Sequence, residues 1–418
     1  MKEILEQSNL QLPKAWKSAL WLLVALGVAM FIFGLASGAA ERTWQAFLIN
    51  TIFWGGMAWA GVMLSVIWQI TDARWGKPFK RISEGFSAFL PVTLVLFVLL
   101  FIGAPWLYEW VAHPMEAKAG YLNLPFFIIR NVIGLGLLFW LTMKYVRNSL
   151  AMDMSEARKL IPGFGGTFAE RLLKNYGDHE QEKEERTLRA RRLAPALGIV
   201  YAFAMSLVAF DFVMSLDQEW FSTLFGVFIF VGNLYSALAM MLIIVAIVRE
   251  KPGLSEFMSL NRFNDLAKLT FAIAMLYTYM GFSQYLVIWY SNLPEEAPFL
   301  VVRSIADTQW KPLFWILVGV LFVLPFLSLM PRTICRTPKV AASIAGILLI
   351  GQWWAHYLLI APSIQERHGE AHFYFGAHEI LLTAGFGAAF FLSFFWMMGR
   401  VPILPLADHR LSKTWHGH

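Results

Sequence analysis

Ten long apolar segments recur along this chain, and they constrain its fold more than any other feature. Each is about 20 residues long, enough for a helix to cross a hydrocarbon layer roughly 30 Å thick. Hydrophobic residues make up 58% of the chain and charged residues only 15%, proportions that do not suit a soluble protein. The sequence therefore predicts an all-α polytopic membrane protein. The segments are residues 18–39, 44–70, 87–110, 124–147, 194–214, 221–248, 263–290, 311–330, 338–360 and 376–398.

The basic residues are spread unevenly between the connections. Lysine and arginine stay preferentially in short cytoplasmic loops, and roughly 27 of the 34 lie at the chain ends or after the second, fourth, sixth and eighth segments. The other connections are acidic, as Glu109, Asp217 and Glu295 illustrate. We therefore expect both termini in the cytoplasm. The net charge of +6 follows from this topology, so we expect no nucleic-acid partner.

The polar stretches are expected at the cytoplasmic surface. We expect residues 1–17 to form an interfacial arm and residues 18–398 to form the ten-helix membrane domain. Residues 399–418 are expected to form a cytoplasmic tail. Inside the domain, the mixed charges of residues 148–193 favour a loop with a solvated surface helix. Cys335 is the only cysteine, which excludes an internal disulfide, and we expect no metal site and no cysteine-held iron–sulfur cluster in this chain.

A weak internal repeat relates the two halves of the domain. RRLAPALGIVYAFAMSLVAFDFVMSL (191–216) and RTPKVAASIAGILLIGQWWAHYLLIA (336–361) each begin with an arginine, twenty positions before Asp211 and His356 respectively. Segments 2–5 and 6–9 are therefore expected to form two similar four-helix bundles, with segments 1 and 10 at their flank. The repeat also places Asp211 and His356 at similar depth.

Ionisable residues inside lipid are costly and usually mark a pathway or a site. Asp211 and Arg130 lie near the outer ends of neighbouring segments and are placed to pair. We expect an outer group that binds the polar head of a ligand and takes its protons. Its members are Asp211, Arg130, His356, Gln352, His378 and Glu379. Three other interpretations stay open: a charge pair that only fixes packing, interhelical hydrogen bonds of the histidines, and bis-histidine haem ligation.

The seventh segment is unusually rich in hydroxyl and amide groups for a membrane helix. It reads FNDLAKLTFAIAMLYTYMGFSQYLVIWYSNLPEE from residue 263, and Tyr277 and Gln284 share one face because they are seven residues apart. Such groups, with trapped water, relay protons part way across a bilayer. Interhelical hydrogen bonds and an aromatic belt are the alternative. The inner relay candidates are Asp265, Lys268, Tyr277, Tyr279, Ser283 and Gln284.

This segment and SLDQEWFSTLFG (215–226) resemble the signature segments of the second NrfD-like membrane subunit of alternative complex III, the ActF family. The ten-helix pattern, the cytoplasmic termini and the duplicated bundles are similar over essentially the whole chain. The matching residues are Asp217, Trp220, Phe221, Asp265, Lys268, Ser283, Gln284 and Tyr285. Many members have Pro-His and His where this chain has Gln218, Glu219 and Asn264, so any role of a histidine at those positions lapses.

The resemblance implies a subunit of a bacterial quinol:electron-acceptor oxidoreductase in the respiratory chain of the inner membrane. The subunit is expected to hold no redox centre, to interact with quinol or quinone and membrane lipids, and to contribute to proton translocation. Iron–sulfur clusters and haem c would belong to its partners: a periplasmic iron–sulfur subunit, c-type cytochromes and a sister NrfD-like subunit. Electrons would pass to cytochrome c or directly to a terminal oxidase. Asp211 would accept a proton, and Arg130 would stabilise its charge.

Two further classes of function stay open. A secondary transporter also has repeats, broken helices and buried charges, although the proposed repeats lack paired Gly/Pro breaks at mid-membrane. A redox-silent scaffold that anchors peripheral subunits would show the same broad apolar surface.

Overall fold

A computed structural model gives the fold of the chain. It describes residues 10–174, 176–177, 179–365 and 373–407, together with residues 2 and 5. Every regular element in these ranges is helical, and ten helices are long and apolar enough to span a membrane. They are α1 Lys14–Ala36, α2 Ala40–Ile70, α3 Arg74–Leu107, α4 Leu124–Leu160, α5 Gln181–Leu216, α6 Phe225–Val248, α7 Leu260–Ser291, α8 Trp310–Ser328, α9 Pro338–Gln365 and α10 Ala377–Met398. The predicted all-α, multi-pass membrane architecture is confirmed.

Short connections join most of the helices, so consecutive spans alternate in direction. The helix α1 therefore begins, and α10 ends, on one side of the protein, which we call the terminal side. We call the opposite side the far side. Asp211 and His356 both lie in the third of the protein nearest the far side, because α5 and α9 run toward that side and carry these residues close to their ends.

The helices pack as two groups of four. In the first, α2 contacts α3 and α5, and α4 contacts α5; in the second, α6 contacts α7 and α9, and α8 contacts α9. The two groups meet where α2 contacts α6 and α9. The helices α1 and α10 pack on each other at the flank of α2, as predicted, and a Cβ at Gly27 would lie only 2.9 Å from the Cα of Gly385. Glycine at this crossing lets the two backbones approach closely.

In residues 148–193, where the sequence predicts a loop with a solvated surface helix, the structure has three helical stretches. The helices α4 and α5 extend into this stretch from both sides, and a short helix, Gly166–Leu173, lies between them. Arg186 pairs with Glu182, and Arg189 with Glu185, each at 2.7 Å. Ion pairs with this i,i+4 spacing stabilise a solvated helix. The charged stretch therefore continues a membrane-spanning helix.

The chain ends are described only in part. Most of the predicted interfacial arm, residues 1, 3, 4 and 6–9, lies outside the described residues, as do residues 408–418 of the predicted tail. The described part of the tail packs against the bundle: residues 401–404 are buried, and the backbone N–H of Ala407 donates to Asp153 at 2.8 Å.

Irregular turns in three of the spanning helices bear on the candidate site. A π-helical turn occurs at Ala209–Val213 in α5 and another at Gly319–Val323 in α8, and π turns are frequent at functional sites. In α9, Pro362 lies inside the helix. Because proline has no N–H, the carbonyl of Leu358 loses its usual intrahelical partner. The irregular turn of α5 contains Asp211, whereas those of α8 and α9 lie in the second four-helix group.

Candidate functional site

The π turn of α5 holds Asp211 fully buried at the centre of a hydrogen-bonded network. Arg130 on α4 donates from Nε to Oδ2 at 2.7 Å and from Nη2 to Oδ1 at 2.8 Å. Asn131 donates to Oδ2 at 2.5 Å, and the hydroxyl of Tyr121 donates to Oδ1 at 2.9 Å. The pairing expected from the sequence is therefore present, and two further donors complete it.

Four donor contacts surround the Asp211 carboxylate and fix its position. Arg130 is fixed as well, since its guanidinium lies 3.8 Å from the ring centre of Tyr121 and donates to the Tyr121 carbonyl at 2.7 Å. Burial raises the pKa of Tyr121, and the Asp211 carboxylate adds to that shift. The arrangement is a clamp between α4, α5 and the connection before α4.

A second polar contact joins the far-side ends of α2 and α10. Glu379 accepts from Arg42, with Oε1 2.6 Å from Nε and Oε2 2.7 Å from Nη2. His378 contacts the hydroxyl of Thr43 through Nε2 at 3.1 Å. The contacts of His378 and Glu379 are thus with the start of α2. The sequence interpretation overlooked Arg42, although its position beside an acidic connection was visible.

His356 and Gln352 lie on one face of α9, buried against α2. The Nδ1 of His356 lies 2.8 Å from the Gln352 carbonyl, so this nitrogen carries the hydrogen and Nε2 is left as an acceptor. Within the described residues, the Nε2 of His356 and both side-chain polar atoms of Gln352 are buried without a hydrogen-bond partner. The ring of His356 packs edge-on against Phe53 at 5.7 Å.

Gly232 on α6 brings Tyr277 of α7 together with Gln352. A Cβ at Gly232 would lie 3.0 Å from Cε2 of Tyr277 and 3.5 Å from Oε1 of Gln352. The Tyr277 ring lies 5.9 Å from that of Tyr235, whose buried hydroxyl also has no partner among the described residues. We call His356, Gln352, Tyr277 and Tyr235 the buried polar row. The row extends from the far-side third to mid-depth, because its members come from the middle or far-side parts of α6, α7 and α9.

The remaining relay candidates of α7 do not join this row. Asp265 and Lys268 are exposed at the terminal end of the helix. Tyr279 is exposed on the surface of the bundle, and Ser283 donates to its own helix at the Tyr279 carbonyl, 2.8 Å away. Gln284 accepts from Ser222 at 3.0 Å on the far side. Of the six candidates, the structure therefore places Tyr277 in the row and Gln284 near the far end of α7.

An apolar cavity of about 760 Å³ lies within the second four-helix group, and Tyr277 and Gln284 both line it. The shared face expected from their seven-residue spacing is thus a cavity wall. The other walls come from α6, α8, α9, the short helix Ala297–Ser304 and the loop residue Trp220. Volumes in this range are typical of sites for small molecules and cofactors. Because Tyr277 belongs to both, the cavity adjoins the buried polar row.

The sequence interpretation missed a buried charge cluster on the terminal side. Arg81 pairs with Glu84, donates to Asp153 at 2.5 Å, and donates to the Ser149 carbonyl at 3.1 Å. Ser65 on α2 donates to Glu84 at 2.8 Å. The sequence pattern places these charges in polar connections between the apolar segments. The three-residue spacing of Arg81 and Glu84, which suits a helical ion pair, was the available signal.

Among the described residues, no group of three or more His, Cys, Asp or Glu side chains is placed to hold a metal ion. No protein-family model matches the chain, and no curated protein matches it. The fold defines the class: a multi-pass helical membrane protein with a buried polar row and an adjoining apolar cavity.

Proposed function

We propose that this chain is the redox-centre-free membrane subunit of a bacterial quinol:electron-acceptor oxidoreductase of the alternative complex III type. In this proposal the terminal side faces the cytoplasm, and the partners are an iron–sulfur subunit, c-type cytochromes and a sister membrane subunit. The chain interacts with quinol or quinone and carries protons part way through the membrane. The resemblance of the two motifs supports the identity of the complex, and the buried polar row supports the role of this chain.

The unpartnered atoms of the row are the observation that carries the proposal. A buried polar atom without a hydrogen bond costs about 1–3 kcal/mol, and several such atoms close together form a place that buried water would satisfy. The four unpartnered atoms of the row belong to His356, Gln352 and Tyr235. The row lies between the helices α6, α7 and α9. This arrangement suits a short hydrated path better than one hydrogen bond between two packed helices.

His356 is the proton-handling group in this scheme. Quinol oxidation yields two electrons and two protons; the electrons leave through the partners, so the protons need an acceptor on the membrane side. An imidazole ring can both accept and release a proton, and Nε2 of His356 is oriented as an acceptor by the bond at Nδ1. Gln352 and Tyr277, with intervening water, connect His356 to mid-depth, short of a continuous path across the membrane.

A His356→Gln variant of the assembled complex tests this role. Glutamine keeps a polar side chain at the position but cannot take a proton, so we expect quinol-driven proton movement in liposomes to fall by about tenfold or more. His378→Gln is the matched control, since His378 contacts Thr43 and lies outside the row; it should retain proton movement. A fully assembled His356→Gln complex with unchanged electron transfer and unchanged protons per electron would refute the proposed path.

A further inference from the structure

The cavity of the second four-helix group opens sideways through the surface that a membrane would cover. Three of its lining residues, Tyr279, Phe282 and Trp315, are 66%, 59% and 54% exposed, and they lie on the neighbouring helices α7 and α8. The cavity therefore extends from this lateral surface inward to buried Tyr277. An apolar molecule dissolved in the bilayer has a direct route into it.

Aromatic rings line the cavity from mid-depth to its far-side end. Trp220 and Phe299 are stacked with ring centres 3.8 Å apart, and Phe228 and Tyr277 are stacked at 4.5 Å. Flat ring faces of this kind suit a flat conjugated ring, which stacks favourably on them. The opposite wall includes the π turn of α8, where Leu321 and Phe322 line the cavity.

Gln284 supplies a hydrogen-bond donor at the same end. Its Oε1 accepts from Ser222 at 3.0 Å, which orients the amide so that Nε2 is the remaining polar atom. That nitrogen lies 3.5 Å from the Met280 carbonyl, at the limit of a hydrogen bond. The amide therefore retains the capacity to donate to a carbonyl oxygen in the cavity.

Arg303, the cation in the wall, is engaged by the protein. It donates to the carbonyls of Leu358 at 3.0 Å, Leu359 at 3.2 Å and Phe299 at 2.6 Å, and to the Ser363 hydroxyl at 2.7 Å. The first of these bonds satisfies the carbonyl that Pro362 leaves unpaired in α9. Arg303 thus stabilises the broken end of α9. This occupation favours an uncharged ligand head over a phosphate.

We propose that the cavity binds an isoprenoid quinone drawn laterally from the bilayer. The quinone ring lies between the aromatic faces, a ring carbonyl accepts from Nε2 of Gln284, and the polyprenyl chain extends past Phe282 and Trp315 into lipid. The choice of a quinone among uncharged lipids rests on the proposed function. The position beside Tyr277 places the ring next to the buried polar row.

Gly281 offers a variant that fills the cavity without a forced clash. A Cβ at this position would lie 3.4 Å from Cε2 of Phe228, an ordinary contact distance. Gly281→Leu extends into the cavity, and Gly281→Ala adds only one carbon as a graded step. Gly136→Leu is the matched control, because nothing lies within 4 Å of a Cβ at Gly136 on α4.

The test uses the tagged full-length chain, purified in mild detergent with whatever subunits accompany it. Quinones and phospholipids that remain bound are extracted and quantified by mass spectrometry, and an azido-ubiquinone or azido-menaquinone probe is photo-crosslinked and mapped to peptides. We expect crosslinks in α7 and α8, and roughly tenfold less bound quinone in Gly281→Leu and Gln284→Leu, which corresponds to about 1.4 kcal/mol of binding free energy. Gly281→Ala should show an intermediate loss and Gly136→Leu none.

Two results would overturn the inference. One is bound quinone that stays unchanged in Gly281→Leu and Gln284→Leu, with crosslinks elsewhere. The other is a phospholipid, and no quinone, displaced by the cavity-filling variant. A different result would reject the proposed function: no haem-containing partner is recovered with the chain. Quinone that binds the chain at this cavity without such partners would uphold the inference and reject the complex.

Discussion

Removal of Arg130 should destabilise the bundle strongly, because it leaves a buried carboxylate without its charge partner. Asp211 accepts four hydrogen bonds, and Arg130 donates two of them. Arg130 is also the one positively charged member of this network. Breaking a buried ion pair from one side costs about 3–5 kcal/mol. We therefore expect Arg130→Met to lower the free energy of unfolding by about this amount.

The double variant Arg130→Met/Asp211→Leu separates a missing charge partner from lost packing. An apolar replacement of a whole buried pair is often nearly neutral. Tyr121 is 42% exposed to solvent, and Asn131 also donates to the Phe127 carbonyl at 2.9 Å, so neither donor loses its only partner. The double variant should therefore be more stable than Arg130→Met alone. Unfolding in detergent, followed by circular dichroism across a denaturant series, gives the free energies.

The clamp interpretation fails under either of two outcomes. One is an Arg130→Met variant within about 0.5 kcal/mol of the wild type, which is the range of ordinary surface substitutions. The other is a double variant at least as unstable as the single one. A related measurement addresses the role expected from the sequence: if an assembled Asp211→Asn complex loses proton release while retaining its stability, Asp211 is a proton acceptor after all.

Three further variants test other contacts. Tyr121→Phe should lower the free energy of unfolding by about 1 kcal/mol near pH 7. Because the pKa of Tyr121 is raised in the fold, the wild type should lose this contribution as the pH rises above about 10. An equal loss of stability at alkaline pH in the variant would contradict the role given to the Tyr121 hydroxyl. Arg303→Met should lower the unfolding free energy by about 1–3 kcal/mol through the carbonyls it exposes in α9, measured by denaturant titration, with Arg336→Met as the exposed control. Gly232→Ala should leave the fold intact but impair proton movement in the assembled complex, because its Cβ would lie 3.0 Å from the Tyr277 ring; unchanged proton movement would remove the Tyr277–Gln352 contact from the path.

The spans and the Arg130–Asp211 pair were predictable because they depend on depth alone. Twenty apolar residues fix a crossing, and alternation of direction then places the two charges near the same side. The partners of His356 and His378 depend instead on how each helix is rotated about its axis. A helix that is apolar all round, such as α6, gives no periodic signal of that rotation, so the expected outer group could not be separated into its three sets of contacts.

Contacts between residues of different helices could not be predicted from the sequence for a similar reason. Arg81 and Asp153 lie in different elements, and the sequence presents both as members of polar connections; only the extension of α4 to Leu160 and the short helix Lys80–Gly85 bring them together. The cavity likewise has walls from several elements, among them the π turn of α8 and Gly281 of α7. The spacing of Tyr277 and Gln284 predicted their common face but not the space in front of it.

The most direct test of the proposed function is an optical spectrum of the affinity-tagged chain, extracted from its native membrane in mild detergent, before and after addition of a reduced quinol. The proposal predicts co-purified c-type haem that the quinol reduces. A colourless protein that is stable alone, and from which no haem-containing partner is recovered under several extraction conditions, would contradict it.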